Sequence, residues 1–195
     1  IVVLLTESAR RFVAPLTLET LSRHPVDGDV LALLPDGRIG HIVVADSADA
    51  IVVAPATAHW LAAMAHGLAG DVVTAACVAT TAPVVVAPAM DGDMYAHPAT
   101  RANVAHLRDV FGYAVVEPEV GPLASGQTGV GRLAELPRIV DAVVAAAKDG
   151  GSKNFCLRAR AGSGKSATCL ELVDDYAAAF PAHEVVLCAF GKEAA

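Results

Sequence analysis

Two short segments each follow an apolar run and carry groups that could bind a small molecule. Thr57 and its small neighbours come just after Ile51–Ala54, where small residues let a planar ring approach the backbone and a hydroxyl can bond ring heteroatoms. An ordinary tight turn between a strand and a helix is the alternative, since such loops recur without function. Asp91 follows Val84–Ala87 in the same way. Its carboxylate can accept hydrogen bonds from a ligand, or it can cap the next helix.

A histidine and a glycine-rich run add two further candidates. His41 lies between a turn and an apolar stretch, and a histidine can move a proton or hold a carboxylate near neutral pH. It is one of seven histidines, so residue type alone does not single it out. The glycine-rich run 121–135 is typical of a mobile flap, in which Arg132 offers a guanidinium for a phosphate or carboxylate. A flexible surface loop has the same composition.

The elements that must position these groups alternate along the chain. The predicted strands are Ile1–Leu5, Ile51–Ala54, Val84–Ala87 and Tyr113–Val116. The predicted helices are Phe12–Arg23, Trp60–Leu68, His97–Phe111 and Leu136–Ala147. This alternation predicts an α/β fold: a flavodoxin-like or Rossmann-like doubly wound parallel sheet in three layers. Ligands of such sheets lie beyond the carboxyl ends of the strands, where Thr6–Ser8, Pro55–Trp60 and Pro88–Asp91 fall.

Composition excludes several classes of function. The net charge of −7 argues against a broad nucleic-acid surface. No apolar run reaches the ~18 residues of a membrane span, and Ile1 resembles the inside of a strand rather than a signal peptide. The four cysteines form no CxxC pair, so neither a zinc site nor a disulfide framework is predicted. A reduced cytoplasmic setting is the resulting expectation.

A polar linker over 148–154 divides the chain into a domain of residues 1–147 and a smaller unit of residues 155–195. The smaller unit is predicted to be an appended β–P-loop–α–β unit, with strands at Phe155–Ala159 and Glu184–Phe190. Backbone amides of a phosphate loop cradle phosphates, its lysine neutralises them and its serine can bind Mg²⁺. The matching residues here are Gly162, Gly164, Lys165 and Ser166. About 40 residues resemble the opening of a superfamily 1 helicase, without the Walker B acid that hydrolysis needs.

The domain of residues 1–147 carries an ordered set of motifs. They are Thr6-Glu7-Ser8-Ala9 with Phe12-Val13-Ala14-Pro15-Leu16, His41-Ile42, Ala54-Pro55-Ala56-Thr57-Ala58, Ala65-His66-Gly67-Leu68-Ala69-Gly70-Asp71, Pro88-Ala89-Met90-Asp91 and the run 129–135. In this order they resemble the homo-oligomeric flavin-containing cysteine decarboxylase family, in its phosphopantothenoylcysteine decarboxylase branch. About three quarters of the chain is covered by the resemblance.

The resemblance implies an activity and a set of site residues. It implies FMN, a trimer-based homo-oligomer with active sites between subunits, and decarboxylation of the small molecule 4'-phosphopantothenoylcysteine to 4'-phosphopantetheine in coenzyme A biosynthesis. His41 and Ser125 match catalytic positions of that family. The positions that match flavin contacts are Thr6, Glu7, Ser8, Thr57, Ala58, His59, Trp60 and Ala89. The positions that match substrate contacts are Met90, Asp91 and Arg132.

The sequence also departs from the family pattern. The family's first strand and flavin-phosphate loop are expected before Ile1. His59 and Trp60 stand where the family has Asn-Thr, Asp91 stands for an asparagine, and Ser125 stands for a cysteine that protonates the enethiolate intermediate. Two alternatives therefore stay open: a truncated or chimeric fold without flavin or catalysis, and a phosphate-loop nucleotide-binding module. In a chimera, residues 155–180 would replace the family's first β–loop–α in the main sheet.

Overall fold

The structure, a computed structural model, describes residues 1–26, 28–149 and 187–188. The predicted linker beyond residue 149, the strand Phe155–Ala159 and the phosphate-loop residues Gly162, Gly164, Lys165 and Ser166 lie outside the described residues. The domain division and the replacement of a β–loop–α by residues 155–180 therefore stay predictions. Of the predicted strand Glu184–Phe190, the described part is Leu187–Cys188.

The described residues alternate between helices and strands. The helices are α1 (Glu7–Arg10), α2 (Pro15–Ser22), α3 (Gly40–Ser47), α4 (Ala58–Ala65), α5 (Val72–Ala79), α6 (Gly92–Ala96), α7 (Pro98–Asp109) and α8 (Leu136–Asp149). The strands are β1 (Ile51–Ala56), β2 (Val84–Pro88), β3 (Ala114–Val115), β4 (Glu119–Pro122), β5 (Thr128–Arg132) and β6 (Leu187–Cys188). No helix in the described part of the chain is long and apolar enough to cross a membrane.

Four parallel strands form the main sheet in the order β3-β2-β1-β6. Val52 of β1 pairs with Val85 of β2 on one side and with Leu187 of β6 on the other. β4 and β5 form a separate antiparallel hairpin, in which Val120 pairs with Val130. The parallel pairing confirms the predicted doubly wound α/β fold, because helices must connect consecutive strands of the same direction.

Both faces of the sheet are covered. Val52 and Val85 belong to an apolar cluster with residues of α2 and α8, whereas their neighbours Val53 and Val86 belong to a second cluster with α4, α5 and α7. Successive side chains of a strand point to opposite faces, so one strand contributes to both clusters. The result is the predicted three-layer arrangement of helix, sheet and helix.

The predicted elements agree with the structure except at a few places. Residues 1–5 show bridge pairing at Leu4 and Leu5 rather than a longer strand. α2 begins later than predicted because Pro15 occupies its first turn, a position where the missing N–H costs nothing. α3, α5 and α6 were not predicted. α5 is rich in valine and alanine and buries six consecutive residues, so it lacks the one-sided apolar pattern that identifies a surface helix.

Candidate functional site

The carboxyl ends of β1 and β2 meet at one edge of the sheet. Ala56 pairs with Pro88, and the backbone N–H of Ala89 donates a hydrogen bond to the Ala56 carbonyl at 3.1 Å. This contact places the segment that begins at Thr57 beside the segment Ala89–Asp91. The two predicted ligand-binding segments, which are more than thirty residues apart in sequence, are therefore neighbours in the fold.

The first of these segments opens α4. Thr57 is the helix N-cap, and its Oγ1 accepts a hydrogen bond from the backbone N–H of Trp60 at 3.2 Å. Thr57 and Ala58 are half-buried and His59 is exposed. The capping bond fixes the backbone of this turn, and the single methyl group of Ala58 leaves room beside it. Such a turn can receive a flat ring on its open side.

The indole of Trp60 lies in the core rather than at the edge of the sheet. Its side chain is 2% exposed and packs in the apolar cluster that also contains Leu61 and Tyr95. The indole ring is therefore packed in the core, and contact of residue 60 with a flavin stays a prediction. The Nε1 of Trp60 has no hydrogen-bond partner within the described residues.

The second segment leads into α6. Asp91 is the N-cap of this helix, and its Oδ1 accepts a hydrogen bond from the Asp93 backbone N–H at 3.3 Å. Asp91 thus caps α6. Because it is only half-buried, its side chain is also within reach of solvent and ligands. Ala89 is half-buried as well, whereas Met90 is 6% exposed and belongs to the core. Ala89 and Asp91 are the accessible members of this segment.

Thr6–Ser8 forms a third turn, after the buried residues Val3–Leu5. Thr6 is the N-cap of α1, with Oγ1 accepting from the Ala9 backbone N–H at 3.2 Å. Thr6 is half-buried, and Glu7 and Ser8 are exposed. Thr6 and Thr57 are thus both threonine N-caps that follow a buried apolar segment, and both lie at predicted contact points.

His41 lies in the first turn of α3. The crossover helix before a parallel strand runs opposite to that strand, so the start of α3 lies toward the carboxyl end of β1. His41 is half-buried, and its Nδ1 is buried with no hydrogen-bond partner among residues that the structure describes. A buried imidazole nitrogen without a partner is a suitable place for a proton or a substrate carboxylate.

The predicted flap is the β4–β5 hairpin. Its turn is closed by the Leu123 backbone N–H, which donates to the Gln127 carbonyl at 2.8 Å, and Ser125 lies exposed at the tip. The base is fixed to the edge of the sheet, because the Met90 backbone N–H donates to the Gly131 carbonyl at 3.0 Å. The composition predicted a mobile loop along the whole run, whereas the structure shows a paired hairpin with a solvent-exposed tip.

The guanidinium of Arg132 is held by carboxylates of the protein. Its Nη2 donates to Glu119 at 2.7 Å and to Glu135 at 2.8 Å, and the two carboxylates raise the pKa of Arg132. Glu119 also accepts from Arg138 of α8 at 3.0 Å. The structure thus pairs Arg132 within the protein, where the sequence predicted a contact to a ligand phosphate or carboxylate. Its observed role is to join the hairpin to the start of α8.

Tyr95 and Glu117 form a polar pair that sequence analysis missed. The Tyr95 hydroxyl donates to Glu117, which also accepts from Arg108 and lies 3.6 Å from Arg101. Burial, and then the hydrogen bond to Glu117, raises the pKa of Tyr95 to about 12. Burial alone would raise the pKa of Glu117, but the bonds from Tyr95 and Arg108 and the arginine charges lower it below its ordinary value. Because 22 residues separate this pair, no local pattern identifies it.

A shallow groove of about 430 Å³ lies beside the outer side of α3. Its lining includes Arg38, Ile39, Ile42 and Asp46.

Groups of three or more residues that could hold a metal ion do not occur within residues 1–26, 28–149 and 187–188.

A family model, curated proteins and solved structures resemble this chain. Residues 1–148 match the family model described as Flavoprotein. The chain belongs to the Flavoprotein family. This flavoprotein is 41% identical over 143 residues to a probable phosphopantothenoylcysteine decarboxylase of Streptococcus mutans, covering 72% of this chain and 79% of that protein.

Two further comparisons extend the picture. The flavoprotein is 49% identical over 138 residues to the coenzyme A biosynthesis bifunctional protein CoaBC of Bacillus subtilis, which covers 71% of this chain. It spans only 34% of that longer relative. Among solved structures, the FMN-dependent cysteine decarboxylase SpaF is 33% identical with a TM-score of 0.64, over 75% of this chain and 77% of SpaF.

Proposed function

We propose that this flavoprotein binds FMN and decarboxylates 4'-phosphopantothenoylcysteine to 4'-phosphopantetheine, a step of coenzyme A biosynthesis. The observation that carries the proposal is the contact between Ala89 and Ala56, which joins the two ligand-binding turns at the carboxyl edge of the sheet. The names of the Streptococcus mutans relative and of SpaF support the reaction and the cofactor. The Bacillus subtilis relative supports the pathway.

The residues at this edge fit a flavin. Ala58 and Ala89 are both half-buried and carry only a methyl group, so an isoalloxazine ring can approach the backbone between them. The hydroxyl of Thr57 and the turn Thr6–Ser8 would bond the polar edge and side chain of FMN. Trp60 leaves this space open because its indole is packed in the core.

The remaining groups suit a cysteine-derived substrate. Bound FMN supplies the two-electron oxidation and reduction that make loss of the carboxylate next to the cysteinyl side chain possible. His41 would hold that carboxylate or exchange a proton with the substrate, using the buried nitrogen that has no partner within the described chain. Asp91 would accept hydrogen bonds from substrate amides. Ser125 at the hairpin tip would stand near the enethiolate that is left when the carboxylate is lost and that must then take up a proton.

The active form would be a homo-oligomer. The groove along α3 is lined by Ile39, which is 45% exposed, and Ile42, which is 38% exposed, and it lies next to His41 in sequence. An exposed apolar surface of this kind commonly marks a contact with another protein surface. A second copy of the chain on this surface would shield His41 from bulk water. Sedimentation analysis of the purified protein measures the assembly directly.

Two measurements on the full chain test the proposal. The visible spectrum of the purified protein, before and after addition of FMN, should show bound flavin. Release of carbon dioxide should then fall by at least about a hundredfold in His41→Asn, because a general acid or base is lost, while bound flavin stays unchanged. His66→Asn, at an exposed histidine, is the matched control and should keep full turnover.

The two outcomes have separate meanings. A chain that takes up no flavin is the non-catalytic fold of the alternative hypothesis, and the proposed function is then wrong. A His41→Asn variant with normal turnover removes His41 from the reaction but leaves the flavin site in place.

A further inference from the structure

We propose that Tyr95, Glu117 and Arg108 form a positioning triad that holds Asp91 in its place at the edge of the sheet. The inference rests on the proposed function, because it names residues that act on substrate binding through Asp91. None of the three is expected to touch the substrate or FMN. They are positioning residues, not catalytic ones.

The link begins in the backbone of α6. The Tyr95 backbone N–H donates to the Asp91 carbonyl at 3.0 Å, so Asp91 begins a helical turn that ends at Tyr95. Tyr95 is 5% exposed and packs in the same apolar cluster as Trp60 and Val104. Moving the Tyr95 ring therefore moves the turn that begins at Asp91.

Glu117 is the fixed end of the link. It lies two residues beyond the end of β3, and the preceding residue Val116 donates its backbone N–H to the Val86 carbonyl at 2.8 Å. Glu117 is thereby tied to the sheet, and its two oxygens accept from Tyr95 and Arg108. Arg108 lies on α7, so the carboxylate joins α6, α7 and the end of the sheet at one point.

The arginines surround the pair from the side of α7. Arg101 Nη1 lies 3.6 Å from a Glu117 oxygen, and the Arg101 guanidinium carbon lies 4.9 Å from the centre of the Tyr95 ring. The positive charges keep Glu117 ionised as an acceptor, and the high pKa of Tyr95 keeps its hydroxyl protonated as a donor. Tyr95 therefore stays the donor and Glu117 the acceptor of this hydrogen bond across the neutral pH range.

α6 needs such an anchor because of its length. A helix of five residues is too short to be stable by itself, so contacts outside the helix must set its orientation. On its other side, Gly92 approaches the Val130 carbonyl of the hairpin, where a Cβ atom would lie at 3.3 Å. The triad and this close approach together fix the turn that carries Asp91 between the sheet and the hairpin.

Tyr95→Phe in the full chain is the direct test, with Tyr113→Phe as the matched control. Tyr113 is a half-buried tyrosine whose hydroxyl donates to the carbonyl of Cys77 in α5 at 3.5 Å, away from Asp91. Tyr95→Phe should raise the KM for the cysteinyl substrate about tenfold and leave kcat within about twofold, because ground-state and transition-state binding weaken together. FMN content should not change. Tyr113→Phe should leave both constants unchanged.

Amide hydrogen exchange gives a second readout that does not depend on turnover. In Tyr95→Phe the amides of residues 93–96 should lose protection about tenfold, while those of α7 keep theirs. Glu117→Gln should lie between wild type and Glu117→Ala in both measurements, because the glutamine oxygen still accepts from the tyrosine hydroxyl.

The outcomes separate the two proposals. If wild type binds no FMN or releases no carbon dioxide, the proposed function fails, and the exchange data alone decide whether the triad positions α6. The positioning role is overturned if Tyr95→Phe matches Tyr113→Phe in exchange. It is also overturned if exchange rises in an active enzyme whose KM does not change.

Discussion

Met90 and Gly131 approach so closely that a Cβ atom on residue 131 would lie 2.2 Å from the Met90 carbonyl oxygen. The Met90 N–H also donates to the Gly131 carbonyl, so the hairpin rests directly on the turn that presents Asp91. Only a residue without a side chain can occupy position 131 in this arrangement. The close contact explains why a glycine-rich segment forms an ordered hairpin base.

Gly131→Ala should therefore destabilise the fold by about 1–3 kcal/mol, the usual range for forcing an extra carbon into a packed contact. Urea unfolding followed by circular dichroism measures the change. Gly70→Ala is the control, because a Cβ atom there would meet nothing within 4 Å. Equal stability of the two variants would contradict the close packing of the hairpin on Met90.

The capping box of α5 gives a second prediction. Asp71 Oδ1 accepts from the Val73 and Thr74 backbone N–H groups at 2.8 and 2.9 Å, and Thr74 Oγ1 accepts from the Asp71 N–H at 3.1 Å. Asp71→Ala should cost about 1–2 kcal/mol of unfolding free energy, whereas Asp71→Asn should cost less than about 0.5 kcal/mol, because asparagine caps equally well. A loss as large in Asp71→Asn as in Asp71→Ala would show that capping is not the reason.

A third prediction concerns the exposed hairpin tip. A cysteine thiol has an ordinary pKa of about 8.5, and a serine hydroxyl is a far weaker acid. If Ser125 stands where the enethiolate left after decarboxylation is protonated, Ser125→Cys should raise kcat for formation of 4'-phosphopantetheine by about tenfold or more. Ser125→Ala is the control for the shape of the tip. A cysteine variant no faster than the alanine variant would place protonation elsewhere.

The fourth prediction is a loss of stability in alkali. The folded-state pKa of Tyr95, about 12, is higher than its ordinary value of 10.0, so folding favours the protonated hydroxyl. This contribution is complete below pH 10 and is lost as pH rises from 10 toward 12. Burial also raises the pKa of Tyr113, which contributes in the same direction. The free energy of unfolding, measured with urea across this pH range, should fall less steeply in Tyr95→Phe than in wild type.

The comparison with Tyr113→Phe makes the fourth prediction specific. Above pH 10 the free energy of unfolding should fall with rising pH through both tyrosines. Each variant should remove the contribution of its own tyrosine and keep that of the other. A Tyr95→Phe slope equal to that of wild type would mean that the Tyr95 hydroxyl ionises as readily in the folded state as in the unfolded chain.

The strands could be predicted because their signals are local. Ile51–Ala56 and Val84–Pro88 are valine-rich apolar runs that end near a proline, and both lie in the sheet. Because ligands of such sheets lie at the carboxyl ends of the strands, the sequence also predicts that Thr57 and Ala89 lie at one edge of the sheet. The helices α3 and α5 gave no such signal, since both are apolar with little one-sided character and are recognised as helices only once they pack on the sheet.

By itself, the sequence determined the order of the buried valine-rich strands, the turns at the strand ends and the family to which residues 1–148 belong. These features depend on neighbouring residues, whose backbone preferences and apolar spacing act over a few positions. Tertiary structure alone decided that Arg132 pairs with Glu119, that Tyr95 bonds Glu117 and that Trp60 is buried. Each of these depends on groups far apart in sequence that meet only when the layers pack, since burial and charge pairing are properties of the folded neighbourhood.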